Sequence, residues 1–225
     1  MLTFLPSHGQ GLQFGLQLGS SFSYMHGNFV TTAADDVSIT LSPKLASRFS
    51  GGAYFRYYIT PAFSIQPELL YTTKGGRIRQ DVDFQGQDMR FDGNLMMKYI
   101  NLPLLFRLGT YNPPPEPPGY SPPGYTYHVL AGASMAYNTD ARLTGNLSGN
   151  FLESEFSEQF TRSVQNQFRN NDFSVIVGAG FEYGRHTRFT FDIRYELSVQ
   201  DISNDDATSD ELRNGTITAM IGILF

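Results

Sequence analysis

Cysteine is absent from the 225 residues, which excludes disulfides, thiolate metal sites and a cysteine nucleophile. Tryptophan is absent as well, and Asp, Glu, Lys and Arg together make up only 16% of the chain. The net charge of -5 leaves no basic footprint for nucleic acid. No stretch approaches the ~18 consecutive apolar residues that a transmembrane helix requires. A chain of this kind can enter a bilayer only as a closed barrel, because every backbone polar group in hydrocarbon must pair within the protein. The opening residues, Met1-Leu-Thr-Phe-Leu-Pro-Ser-His-Gly-Gln10, contain no basic stretch and no full apolar run. Residues 1–11 therefore read as a leader remnant or a flexible segment, and residues 12–225 as a single domain.

Aromatics and glycine are plentiful instead: 19 Phe, 13 Tyr and 22 Gly, with a mean hydropathy of -0.26. This composition suits strands. Eight segments alternate apolar and polar residues with the period of two that a strand imposes. Their apolar rows are Phe14 to Tyr24, Phe49 to Ile59, Phe63 to Tyr71 and Ile100 to Leu108, followed by Tyr127 to Tyr137, Phe173 to Tyr183, Phe189 to Val199 and Ile217 to Phe225. The seventh is the sharpest, setting Phe189, Phe191, Ile193, Tyr195 and Leu197 against Arg188, Thr190, Asp192, Arg194 and Glu196. About ten residues per segment is the length a tilted strand needs to cross a bilayer. Pro67 and Pro103 interrupt the pattern, since proline removes a ladder donor, and mark bulges or donor positions the ladder leaves free.

Alternation alone does not say which face is inside, and a soluble lipocalin-like barrel would bury the apolar rows. Three features favour the inverse. Aromatics cluster at the segment ends as two interfacial girdles would. The polar rows mix Gly and Ser with charges of both signs, and the last segment ends on Phe225. The connections also alternate in length. Residues 25–47, 75–96, 138–171 and 201–213 are long and polar, whereas Thr60-Pro61-Ala62 and Gly184-Arg185-His186 are tight turns. Outer-membrane barrels have long external loops and short periplasmic turns. The Pro-rich run of residues 112–124 breaks that rule and reads as a stiff extended arm, either a spacer or a handle for a periplasmic protein. The expected architecture is an all-β, eight-stranded antiparallel up-and-down transmembrane barrel with long extracellular loops.

Several segments resemble a known family. Gln66-Pro-Glu-Leu-Leu-Tyr-Thr-Thr-Lys-Gly75 and Tyr99-Ile-Asn-Leu-Pro-Leu-Leu-Phe-Arg107 are similar to the corresponding strands of PorT-like outer-membrane β-barrel proteins of Bacteroidota. Gly178-Ala-Gly180, Asp192-Ile-Arg-Tyr195 and the Phe-terminated last strand fit as well, in the same order, over residues 12–225. The resemblance implies the barrel fold and the outer membrane. It does not imply a reaction, since the functions of that family are diverse, one member supporting protein secretion. Asn101 stands where the family often has Glu, and the Pro-rich turn is unusual for it.

With the polar rows inward, the lumen receives Arg56, Glu68, Arg107, Glu182, Arg188, Asp192, Arg194 and Glu196. Charges of both signs in a tight, low-dielectric space pair with each other. Arg56, Glu68 and Arg107 are expected within reach of one another, and Glu182 near Arg188 or Arg194. The expected result is a plug, with a proton or ion path as the competing reading. In the third long connection, Asn150 and Glu153 form a capping-box pattern. Leu152, Phe156, Phe160, Val164 and Phe168 then recur every four residues, which predicts a short amphipathic loop helix that covers the mouth, lies in the outer leaflet or docks a partner. Ile221, Ile223 and Phe225 are expected as a C-terminal signal for the barrel-assembly machinery. No hydrolase, phosphate-loop or zinc motif occurs, and no cofactor or metal is expected. His26 with Asp35, Asp36, Asp205 and Asp206 imitates a rim catalytic cluster, but solvated loop carboxylates account for it. The reading is a non-enzymatic barrel in contact with outer-membrane lipid and an unidentified protein partner, against a small-solute channel and a rim-site hydrolase.

Overall fold

The computed structural model describes residues 11–26, 29–32, 38–41, 43–44, 46–84, 87–110, 124–151, 154–184, 187–200 and 213–225. Eight long strands form the body: β1 Leu12–His26, β2 Ala46–Tyr58, β3 Phe63–Lys74, β4 Gln87–Gly109, β5 Gly124–Phe151, β6 Asn171–Gly184, β7 Arg188–Ser198 and β8 Arg213–Leu224. Each is antiparallel to the next, and β8 pairs with β1 from Leu224↔Gly15 to Arg213↔His26, so the sheet closes on itself. Closure leaves no free edge within the ring, which is the condition for placing strands in hydrocarbon. Pro67 and Pro103 lie in the β3–β4 and β4–β5 ladders with no shift of register at either one.

Burial alternates in the inverse sense to a soluble protein. Leu18, Leu102 and Val177 are 54%, 51% and 52% exposed, while Arg56, Gln66 and Lys74 are 1%, 0% and 0% exposed. In water such apolar rows would forfeit the main driving force of folding, about 25 cal/mol per Å² left uncovered. Lipid tails remove that penalty. The aromatic residues of the rows gather near their ends. Phe14 with Phe55 and Tyr125 with Tyr183 touch at one rim, at centroid distances of 5.4 and 4.8 Å. Tyr71, Tyr137 and Phe173 stand exposed at the other.

The interior is narrow, and the small residues of β1 accommodate this. A Cβ at Gly15 would fall 2.2 Å from the Tyr54 ring, and one at Gly19 would fall 2.1 Å from the Ala219 carbonyl. Farther along, Ser21 meets Thr218 and Ser50 meets Thr72, each hydroxyl pair 3.0 Å apart. Leu105, Leu130 and Ile176 form an apolar cluster on adjoining walls.

The connections 75–96 and 138–171, expected as polar loops, are largely strand. β4 and β5 continue past the outer girdle and pair there from Lys98↔Asp140 to Met89↔Gly149. Arg77–Phe84 folds back on β4, Pro43–Lys44 pairs with Arg77–Ile78, and Ser154–Ser163 folds back on β5, so five strands make a sheet outside the barrel. A separate ribbon pairs Phe29–Thr32 with Ser38–Leu41.

The predicted loop helix is therefore corrected. Phe156 and Phe160 belong to the strand Ser154–Ser163, and the single turn of 3-10 helix at Gln165–Gln167 follows it. The physical reason is in the spacing. A repeat of four suits one face of a helix, but four is also a multiple of two, so the same residues share one face of a strand. The extension of β5 offers an unpaired backbone edge, and covering it outweighs the capping box. Leu152 lies outside the described residues. Val164 and Phe168 are buried with Leu95, Met97, Tyr99, Ala136 and Ala141 in an apolar cluster toward the outer end of β4 and β5.

Candidate functional site

The inward positions of all eight strands converge on a charged interior with two layers. In the periplasmic half, three arginines (Arg56, Arg107, Arg194) face three carboxylates (Glu68, Glu182, Asp192), and all six are at most 5% exposed. Arg194 holds Glu68 with two roughly parallel hydrogen bonds, Nη1 to Oε2 at 2.7 Å and Nη2 to Oε1 at 3.0 Å. Its Nη2 also donates to Asp192 Oδ2 at 2.8 Å. Glu182 Oε1 accepts from Arg107 at 2.8 Å and forms an ion pair with Arg56, while its Oε2 meets Arg188 at 3.4 Å. Planar guanidinium forks suit carboxylates in this way, and the resulting bonds are among the stronger ones available.

The pairing runs across the barrel. β2 and β6 are four strands apart in a ring of eight, as are β3 and β7, so Arg56–Glu182 and Arg194–Glu68 join opposite walls. The sequence reading placed Glu68 with Arg56 and Arg107. That is corrected: the Gln66 side-chain oxygen sits between those two, accepting from Arg56 Nε at 2.9 Å and Arg107 Nη1 at 2.6 Å. Glu182 does meet Arg188, as expected, and also reaches Arg56 and Arg107. Long side chains in so narrow a tube touch the facing wall as readily as their neighbours. His128 completes the layer, with Nε2 2.7 Å from Asp192 Oδ1 and in contact with Arg107. Gly180 faces this contact: a Cβ there would fall 2.3 Å from Asp192 Oδ1 and 2.7 Å from His128 Nε2.

Glu196 belongs to a second layer nearer the outside. Lys74 Nζ lies 2.9 Å from Glu196 and 3.3 Å from Asp172, again linking β3 to β7, and stands 5.3 Å from the centre of the Tyr99 ring. The Ser198 hydroxyl donates to Asp172 at 2.5 Å and the Ser134 hydroxyl to Glu196 at 3.3 Å. Lys74 and Asp172 were not singled out from sequence. Lys74 shares the inward parity of Gln66 and Glu68, which was a usable signal. Asp172 was hidden because it stands one residue before the apolar row of its strand.

Ile221, Ile223 and Phe225 lie on the lipid-facing side of the last strand, 54%, 36% and 56% exposed, and the Phe225 amide donates to the Phe14 carbonyl at 2.8 Å. The rim carboxylates Asp35, Asp36, Asp205 and Asp206 and residues 112–123 of the Pro-rich run lie outside the described residues. Among the described residues, no group of three or more His, Asp or Glu side chains is placed to hold a metal ion.

A family model described as "Outer membrane protein beta-barrel domain" matches residues 7–204. No curated protein is detectably similar to the chain. Among solved structures, it is similar to OprG of Pseudomonas aeruginosa, at 14% identity over 96% of this chain and 97% of that one with a TM-score of 0.46. Ail of Yersinia pestis, in complex with the heparin analogue sucrose octasulfate, is similar at 16% identity over 95% and 99%, TM-score 0.41. The outer-membrane protease OmpT of Escherichia coli is similar at 12% identity over 99% and 98%, TM-score 0.36.

Proposed function

Because this chain belongs to the outer membrane protein β-barrel domain family and so resides in the bacterial outer membrane, we propose that it is a closed, non-enzymatic barrel whose work is done by what it presents outside the lipid. One observation carries this reading. Ion pairs join opposite walls at two heights, Arg56–Glu182 and Arg194–Glu68 in the lower layer and Lys74–Glu196 in the upper. Solute could not pass without breaking several buried pairs, and an uncompensated buried charge costs several kcal/mol each time, roughly 3–5 per pair. In planar bilayers the purified protein is expected to show no conductance step comparable to that of a general porin. A porin-like step would favour the small-solute channel.

The binding surface in this reading is the outer sheet or the Pro-rich arm, and its partner is an unidentified protein. Within the family, the segments Gln66–Gly75 and Tyr99–Arg107 support assignment to the PorT-like barrels of Bacteroidota. Ile221, Ile223 and Phe225 serve as the signal to the barrel-assembly machinery, supported by their exposed row along the last strand. Deleting Phe225 is expected to lower the amount of heat-modifiable, assembled protein in outer-membrane fractions several-fold. Normal assembly without it would remove this role.

A further inference from the structure

Just above the outer end of the apolar belt, β4 and β5 carry a charged cluster separate from the interior network. Ile100 and Tyr137 face each other across these strands, 44% and 50% exposed on the lipid side. The next outward pair is Lys98 and Asp140, and it exists because of an irregularity. Tyr99 pairs with Asn138 but Lys98 pairs with Asp140, so Thr139 is an extra residue in β5. A bulge of one residue exchanges the two faces of the strand beyond it. Below it Tyr137 faces out and Asn138 in; above it Ala141 is buried and Arg142 is exposed. The bulge thus turns Asp140 and Arg142 outward beside Lys98.

Lys98 Nζ lies 2.9 Å and Arg142 Nε 3.0 Å from Asp140 Oδ2. The hydrogen bond from Lys98, then that from Arg142, holds the Asp140 carboxyl below the usual carboxylate range. It is therefore an anion at neutral pH, a strut that sets two cations side by side. Each cation has donors to spare, since the ammonium has three hydrogens and the guanidinium, among the described residues, engages Asp140 through Nε. The Arg142 side chain is 54% exposed. Farther up the same face stand Arg77, opposite Asn94, and Arg90 and Asp92.

The geometry points to a phosphate-binding site for a lipid of the outer leaflet, with Lys98 and Arg142 as the ligands and Asp140 as the residue that positions them. A phosphorylated glycolipid fits on two counts. Its acyl chains would lie against the apolar rows below Ile100 and Tyr137. Its phosphate would then stand at the height of Lys98 and Arg142, where cations beside an anionic surface are favoured. Charge-assisted, geometrically fixed donors recognise phosphate oxygens well. The inference rests on the apolar belt facing lipid and is independent of whether the barrel is plugged.

The test uses the full-length protein in mixed micelles, with diphosphorylated lipid A and the same lipid stripped of phosphate as probes. The wild-type protein is expected to retain the phosphorylated form about tenfold better. Lys98→Gln with Arg142→Gln should lose that preference while keeping heat-modifiable mobility, and Arg142→Gln alone should lose part of it. A preference unchanged in either variant overturns the site. Inorganic phosphate at millimolar concentration should compete only weakly. Complete displacement by it would assign the site to free phosphate and overturn the lipid.

Discussion

Glu182→Gln is expected to destabilise the folded barrel by about 3–5 kcal/mol, read as a lower urea midpoint in micelles or a lower temperature of the heat-modifiable transition. The reason is the company that Glu182 keeps. One carboxylate meets Arg56, Arg107 and Arg188, the first two nearly wholly buried. The amide preserves size and one oxygen but removes the charge, so the balance of the lower layer shifts from three against three to three against two. The guanidiniums cannot shed their protons to relieve it. A loss under about 1 kcal/mol would mean that water reaches this layer and screens it, contrary to the burial of Arg56 and Arg107. Replacing Arg194 and Glu68 together by Met and Leu provides the contrast. Removing one charge of each sign keeps the layer balanced, and Asp192, which loses Arg194, keeps Arg107 and His128, so this variant should lose less than Glu68→Gln alone.

Gly132→Val is expected to prevent assembly or cost roughly 3 kcal/mol, measured as loss of the folded, heat-modifiable band in outer-membrane fractions. Gly132 lies between Leu104 to Leu105 of β4 and Ile176 of β6. A Cβ at this position would fall 2.1 Å from the Leu104 carbonyl oxygen. That atom belongs to backbone inside a closed ring, so it cannot swing away as a side-chain tip would. Gly124 is a suitable control in the same strand, because a Cβ there meets nothing within 4 Å. Gly124→Val should assemble normally. Equal behaviour of the two variants would show that close approach is not what makes glycine necessary at position 132.

Much of this architecture could be read from residues alone. Strand identity was legible because a period of two persists for ten residues at a time, as in Phe189 to Val199. The inward charges were legible for the same reason, since parity assigns Arg56, Arg107 and Arg194 to one face. Their partners were not. Parity says which side of the wall a residue occupies but not which facing wall it touches, so Glu68 was placed with its neighbours when it spans to Arg194. The outer segments were misread for a different reason. Phe156, Phe160 and Val164 carry a spacing common to both regular structures, and only the free edge of β5 decides between them. Thr139 left no trace in the pattern, because a single inserted residue among Asn, Thr and Asp looks like any other polar stretch.

The length of β4 and β5 bears on how the outer surface can be altered. Residues 87–99 of β4 stand above the last lipid-facing pair and, at about 3.3 Å per residue, form a rigid mast roughly 40 Å long before tilt. Deleting matched pairs of residues from both strands would lower this mast in steps and leave each side chain pointing as before. Removing a single residue from β4 alone, below Lys98, would instead turn that strand over, exchanging its outward Lys98 for Met97 and Leu95 while β5 kept its orientation.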